Sequence, residues 1–162
     1  MSKNKHLCYT EYMIEILLQY KLFLIPITVI ICAQLMKFFR LSLKHGFQLD
    51  DLFDPGHFPS AHSAFVTSLV ITIGYYESIT SGMFAVAVCF AFITIYDAMR
   101  VRMHIGLQGK TLNRLVTEID SIDSKKFPHL KEHVGHYANE VAGGIGIGII
   151  LSFILIILIK FL

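Results

Sequence analysis

The chain has no tryptophan, only three cysteines and four prolines among its 162 residues, and only 16% of its residues are charged. The cysteines, Cys8, Cys32 and Cys89, are scattered, and two lie in apolar runs, so neither a disulfide framework nor a metal or redox spacing is present. A soluble domain carries about a quarter charged residues. At 54% hydrophobic and a mean hydropathy of +0.60, this chain reads instead as an integral membrane protein. Its length fits one domain, residues 1–162. A net charge of +2 is too small to argue for a nucleic-acid partner. No repeat appears, and the stretch from Met1 to Gln19 lacks a signal-peptide core and cleavage site.

What is present is a series of apolar runs, and the fold class is all-α. Tyr12, Met13, Ile16, Leu17 and Tyr20 recur at helical spacing opposite Glu11, Glu15 and Gln19, predicting a surface amphipathic helix over 9–20. Four membrane spans are expected, over 22–39, 60–76, 83–98 and 141–161. A span takes about twenty apolar residues, a length that only the last run reaches with ease. Residues 99–139 read as a polar loop with short helices, one over His104 to Leu115 and another starting near Leu130 and running into the last span.

The connections after the first and third spans then share a face. They hold Arg40, Lys44, Arg100, Arg102, Lys110, Arg114, Lys125, Lys126 and Lys131, whereas the Glu77 to Gly82 turn has no Lys or Arg. The positive-inside rule puts the basic face in the cytoplasm.

Three residue sets converge on that face. Pro59 and Ser60 are helix-start residues, and the amides of Ala61, His62 and Ser63 would point out of the helix N-terminus as an anion site. His62, in that first turn, is placed to protonate a leaving group. His136 and Glu140 are one helical turn apart, so their side chains can meet. A carboxylate on one imidazole nitrogen fixes the tautomer and makes the other nitrogen the better nucleophile. Lys37 and Lys44, seven residues apart, add cations. These are parts that phosphoryl transfer uses, since positioning and charge neutralisation do most of its catalysis.

Pro59-Ser60-Ala61-His62-Ser63-Ala64 resembles the Pro-Ser-Gly-His motif of the type 2 phosphatidic acid phosphatase superfamily. His136 to Gly143 is similar to its third motif, and Lys37 with Lys44 matches the spacing of its first. Tyr96-Asp97-Ala98 with Val101-Arg102, Leu112-Asn113, and Leu130-Lys131-Glu132 with Gly135-His136 resemble its divergent bacterial and plant branch, related to acid phosphatases and vanadium haloperoxidases. The resemblance covers roughly Gln34 to Gly144.

It implies that His136 is a nucleophile forming a phosphohistidine, that Glu140 orients it and that His62 is the general acid. Lys37, Lys44, Ser60, Ala61 and Arg102 would hold the phosphate. It implies no cofactor and no metal. It also implies a lipid phosphate substrate of the phosphatidic acid, phosphatidylglycerol phosphate or polyprenyl phosphate type, in a bacterial inner membrane with the site facing the cytoplasm.

Some positions depart from the pattern. Lys44-His45 replaces Arg-Pro, Ala61 replaces Gly, Glu140 replaces Asp, and Leu130 stands where an Arg is usual. Arg102 is the candidate substitute for that Arg, with Lys131 second. Asp97 is expected to pair with Arg100 or Arg102. Two other functions fit the residues: a non-catalytic member of the fold that binds anionic lipid or a partner, and, more weakly, a lipid transporter. A homo-oligomer is compatible with each. A zinc site on a stripe of His129, His133, His136 and Glu140 is disfavoured, because ligands on consecutive turns of one helix rarely close a tetrahedron.

Overall fold

A computed structural model describes residues 19–47, 57–119, 127–132 and 134–161. The surface helix expected over 9–20 lies outside them except for Gln19 and Tyr20, and His133, Lys125 and Lys126 also lie outside. Among the described residues all regular structure is helical: α1 (Lys21–His45), α2 (Ala61–Tyr76), α3 (Gly82–Tyr96), a π turn (Asp97–Val101), α4 (Arg102–Glu118) and α5 (Ala138–Lys160). Among the described residues, three helical stretches are long and apolar enough to cross a membrane: α1, α5 and the continuous rod Gly82–Glu118. At 16 residues, α2 is shorter than these.

Helix α1 runs six residues past the expected end at Phe39. Lys37, Arg40 and Lys44 do not stop it, because cations near a helix C-terminus oppose the carbonyl end of the dipole. Gly46, with φ of 85°, ends it. The third run likewise continues beyond Tyr96, through the π turn, into a helix of 17 residues where a polar loop with shorter helices was expected.

Helix α2 is the centre of the bundle and packs against α1, α3 and α5. Its first turn is capped by Ser60, and that of α3 by Ser81, whose Oγ accepts from Phe84 N at 3.1 Å. Val29 and Ala33 of α1 meet Ala61 and Ala64 of α2 in the core, with Ile147, Leu151 and Leu155 of α5 against them.

The α2–α5 contact is a ladder of small residues at four-residue spacing. Ser60, Ala64, Ser68 and Thr72, all buried, lie on one stripe of α2, and Gly144, Gly148 and Ser152 on one stripe of α5. A Cβ at Gly144 would lie 2.3 Å from Ser60 O, and one at Gly148 would lie 2.7 Å from Ala64 O. Ser152 Oγ donates to Gly148 O at 2.6 Å and lies 2.7 Å from Ser68 Oγ. Because one hydroxyl carries one proton, Ser68 donates in that second bond.

The segment expected to begin a helix near Leu130 is not helical. The Leu130 peptide groups bond sideways to Asn113 of α4, the His136 amide bonds to Ala98 in the π turn, and α5 starts only at Ala138. His129 is exposed and shares no helix with His136, so the stripe considered for zinc does not form.

The ladder predicts opposite results for two neighbouring glycines. Gly144→Ala must displace the Ser60 carbonyl and should lower stability by about 1–3 kcal/mol, as overpacking does. Gly146→Ala meets nothing within 4 Å. It should be neutral or stabilising by up to about 1 kcal/mol, through helix propensity. Thermal unfolding of the detergent-solubilised variants measures both.

Candidate functional site

Ser60 holds the N-terminus of α2 in two directions. Its Oγ accepts from Ser63 Oγ at 2.9 Å and from Ser63 N at 3.4 Å. Its own amide donates to Glu140 O at 3.1 Å. The first turn of α2 is thereby fixed to the first turn of α5, and His62 is brought to the same end of the bundle as His136. Ser60 and Ala61 are buried, and the Ser63 amide is occupied by the cap. Of the three amides expected to receive an anion, the cap therefore occupies that of Ser63. His62 is exposed.

His136 and Glu140 meet as their spacing predicts. His136 Nδ1 lies 2.9 Å from Glu140 Oε2, and the same oxygen accepts from Tyr137 N at 3.2 Å. Both side chains are buried. A carboxylate accepts only, so Nδ1 carries the proton and Nε2 keeps its lone pair. Burial holds the His136 pKa below the ordinary 6.5; the bond to Glu140 and its charge pull it upward, and Lys37 and Arg102 push it further down.

The π turn supplies two more parts. Arg102 N donates to Asp97 O, five residues back, and leaves Ala98 O to accept from His136 N at 3.0 Å. The wider turn also brings residues five apart onto one side. Arg102 Nε therefore reaches Asp97 Oδ2 at 2.8 Å. Of the two pairings weighed for Asp97, this is the one that forms.

The charges acting on the two histidines come from Lys37, Arg102, Asp97 and Glu140. Lys37 is buried on α1, 5% exposed. The structure thus brings together His62, Lys37, Arg102, His136 and Glu140, whereas Lys44 and Lys131 are exposed. Sequence reasoning missed Ala98, whose contribution is a carbonyl that a π turn frees. It also missed Gly106 and Gly109, although with Asn113 they share one face of a helix.

Away from the cluster, α3 and α5 both pack on α2 but hardly touch each other. Between them lies an apolar groove of about 460 Å³, lined by Thr67, Val70, Ile71, Val88, Ala91, Ile149 and Phe153. It begins about 8 Å along α2 from His62, at 1.5 Å per residue. It lies among the helices that carry or adjoin His62, Arg102 and His136.

Residues 18–151 match the divergent PAP2 family. An uncharacterized membrane protein of Bacillus subtilis (strain 168), YuiD, is 36% identical over 140 residues, which cover 78% of this chain and 87% of that one. No solved structure matches the chain. With most of its length matched, and with its His62 and His136 motifs joined at one end of a helical membrane bundle, the chain belongs to the divergent PAP2 family.

Proposed function

We propose that the protein is a phosphatase or diphosphatase that acts on a lipid phosphate through a phosphohistidine. The observation that carries this reading is the buried His136–Glu140 pair, with its Nδ1 proton held and Nε2 left as nucleophile. In the first step the Nε2 lone pair attacks phosphorus and the bond to the leaving oxygen breaks. His62 gives that oxygen its proton, while Lys37 and Arg102 neutralise the phosphoryl oxygens. In the second step water attacks phosphorus, the P–N bond breaks and His62 takes the water proton. Nucleophile, acid and cations are all side chains, so the scheme calls for no metal. Glu140 stabilises the charge that His136 acquires and keeps its tautomer.

The apolar groove below the cluster supports a lipid over a soluble phosphate. Its volume falls in the roughly 300–1,000 Å³ range of ligand sites. The basic residues at this end support a cytoplasmic orientation. A second reading, anionic-lipid binding without turnover, is favoured by one observation: Leu130 stands where the superfamily has an Arg.

Purified protein in detergent should release phosphate from one or more of phosphatidic acid, phosphatidylglycerol phosphate and polyprenyl phosphates, equally with and without EDTA. His136→Ala should abolish release while the protein stays folded; turnover by that variant would remove the nucleophile assignment. His62→Ala should cost about 10²–10⁴-fold in rate, the usual contribution of a general acid. Binding of vanadate with no release from any lipid would favour the second reading.

The pH profile carries a sign. Because burial depresses its pKa, His136 stays neutral below 6.5, so the acid limb of the rate should fall on the acid side of that value. Glu140→Gln removes the two influences that raise the pKa. It should move the limb further toward acid while lowering the maximal rate; movement toward alkali would contradict the pairing. For orientation, a Cys placed at the exposed Lys110 in a cysteine-free protein should resist an impermeant thiol reagent added to intact cells, and labelling from outside would reverse the topology.

A further inference from the structure

Leu130, Lys131, Glu132 and Gly135 meet α4 in a definite register. Asn113 grips its start: the side-chain Oδ1 accepts from Leu130 N at 3.0 Å, and Nδ2 donates to Leu130 O at 2.9 Å and to Glu132 Oε1 at 3.0 Å. One turn nearer the membrane, a Cβ at Gly109 would lie 2.9 Å from Lys131 O. Next, a Cβ at Gly106 would lie 2.5 Å from Glu132 O. Gly135 then lies so close to Met103 that a Cβ on it would be 2.6 Å from Met103 N. The register ends at Ala98, whose carbonyl takes the His136 amide at 3.0 Å. Asn113, Gly109 and Gly106, at i, i–4 and i–7, form one face of α4.

We propose that this face of α4 is a positioning surface, on which Gly106, Gly109 and Asn113 fix the backbone of Leu130, Lys131, Glu132 and Val134 and so set where the His136 imidazole stands; this rests on the phosphohistidine reading of His136. Two features carry the proposal. The contacts are backbone to backbone or use all the bonding groups of one amide, so they fix position along the helix as well as proximity. They also take the place of helical hydrogen bonds: without them the segment has no regular structure to hold His136 against Glu140. None of the three residues touches the reacting atoms, so they are positioning residues and not catalytic ones.

The test uses two full-length variants that differ in kind. Asn113→Ala removes three hydrogen bonds and adds no bulk. Gly106→Ala adds one methyl that must push Glu132 O away, although alanine by itself favours the helix. Hydrogen exchange over 127–140, the His136 titration followed by NMR on histidine-labelled protein, and phosphate release are measured for both.

The expected result is faster exchange over Leu130–His136 in both variants. The His136 midpoint should rise toward the ordinary histidine value as the ring gains water. Turnover should fall roughly 10- to 100-fold, the cost of misplacing a reacting group by about an ångström, with little change in KM. A His136 titration and pH–rate profile identical to wild type in both variants would overturn the proposal, whether or not exchange increases. If wild type releases no phosphate from any lipid, the phosphatase reading falls separately, and the proposal is decided by exchange and the His136 titration alone.

Discussion

The hydrogen bond from Ser60 N to Glu140 O is the constraint on which the rest of the site depends. It joins the first turns of two helices eighty residues apart in sequence, and it exists only because α5 presents backbone instead of side chain. Gly143 and Gly144 leave room for Phe58 and the Ser60 carbonyl. Below them the ladder continues through Gly148 with Ala64 and through Ser152 with Ser68. In a bilayer, lipid tails are as apolar as leucine, so helices are held by close van der Waals fit and buried hydrogen bonds rather than by the hydrophobic effect. The glycines of α5 therefore serve packing and chemistry together, since the same contact that holds the bundle brings His62 and His136 to one end of it.

A second constraint acts from the other side. The π turn costs α3–α4 one regular hydrogen-bond step, and the carbonyl released there anchors His136. The same turn rotates Arg102 over Asp97. A single local irregularity thus supplies both a backbone anchor and an oriented cation. Such turns occur often at functional sites because they free polar groups where something else needs them.

What the chain revealed before its structure was known follows the range of the interactions. The Ser60 cap and the His136–Glu140 pair are three- and four-residue relations, and spacing alone exposes them. The apolar runs likewise exposed an all-helical membrane bundle. The path of Leu130 to His136 could not be read this way: its partners Asn113 and Ala98 lie 17 and 38 residues away, and Gly135 next to an apolar start looked like an early helix turn. The rod beyond Tyr96 was hidden for a related reason. Asp97, Arg100 and Arg102 signal the end of a membrane run, but the helix itself does not stop. Lys44 and Lys131 matched by position in sequence, yet both are exposed, because register along a helix and an extended segment decides where a side chain goes.

The length of α2 has a consequence for the bilayer itself. Lys21 lies over the Tyr76 ring at 4.2 Å, and Tyr75 stands beside it, a grouping that marks the far headgroup boundary. Sixteen residues from there give a rise of about 24 Å, whereas the hydrocarbon layer is about 30 Å thick. Standing along the bilayer normal, α2 is therefore some 6 Å shorter than the layer it would cross. Short spans of this kind are met by local thinning of the membrane. A membrane thinned around α2 in this way would bring headgroups toward the His62 end of the helix.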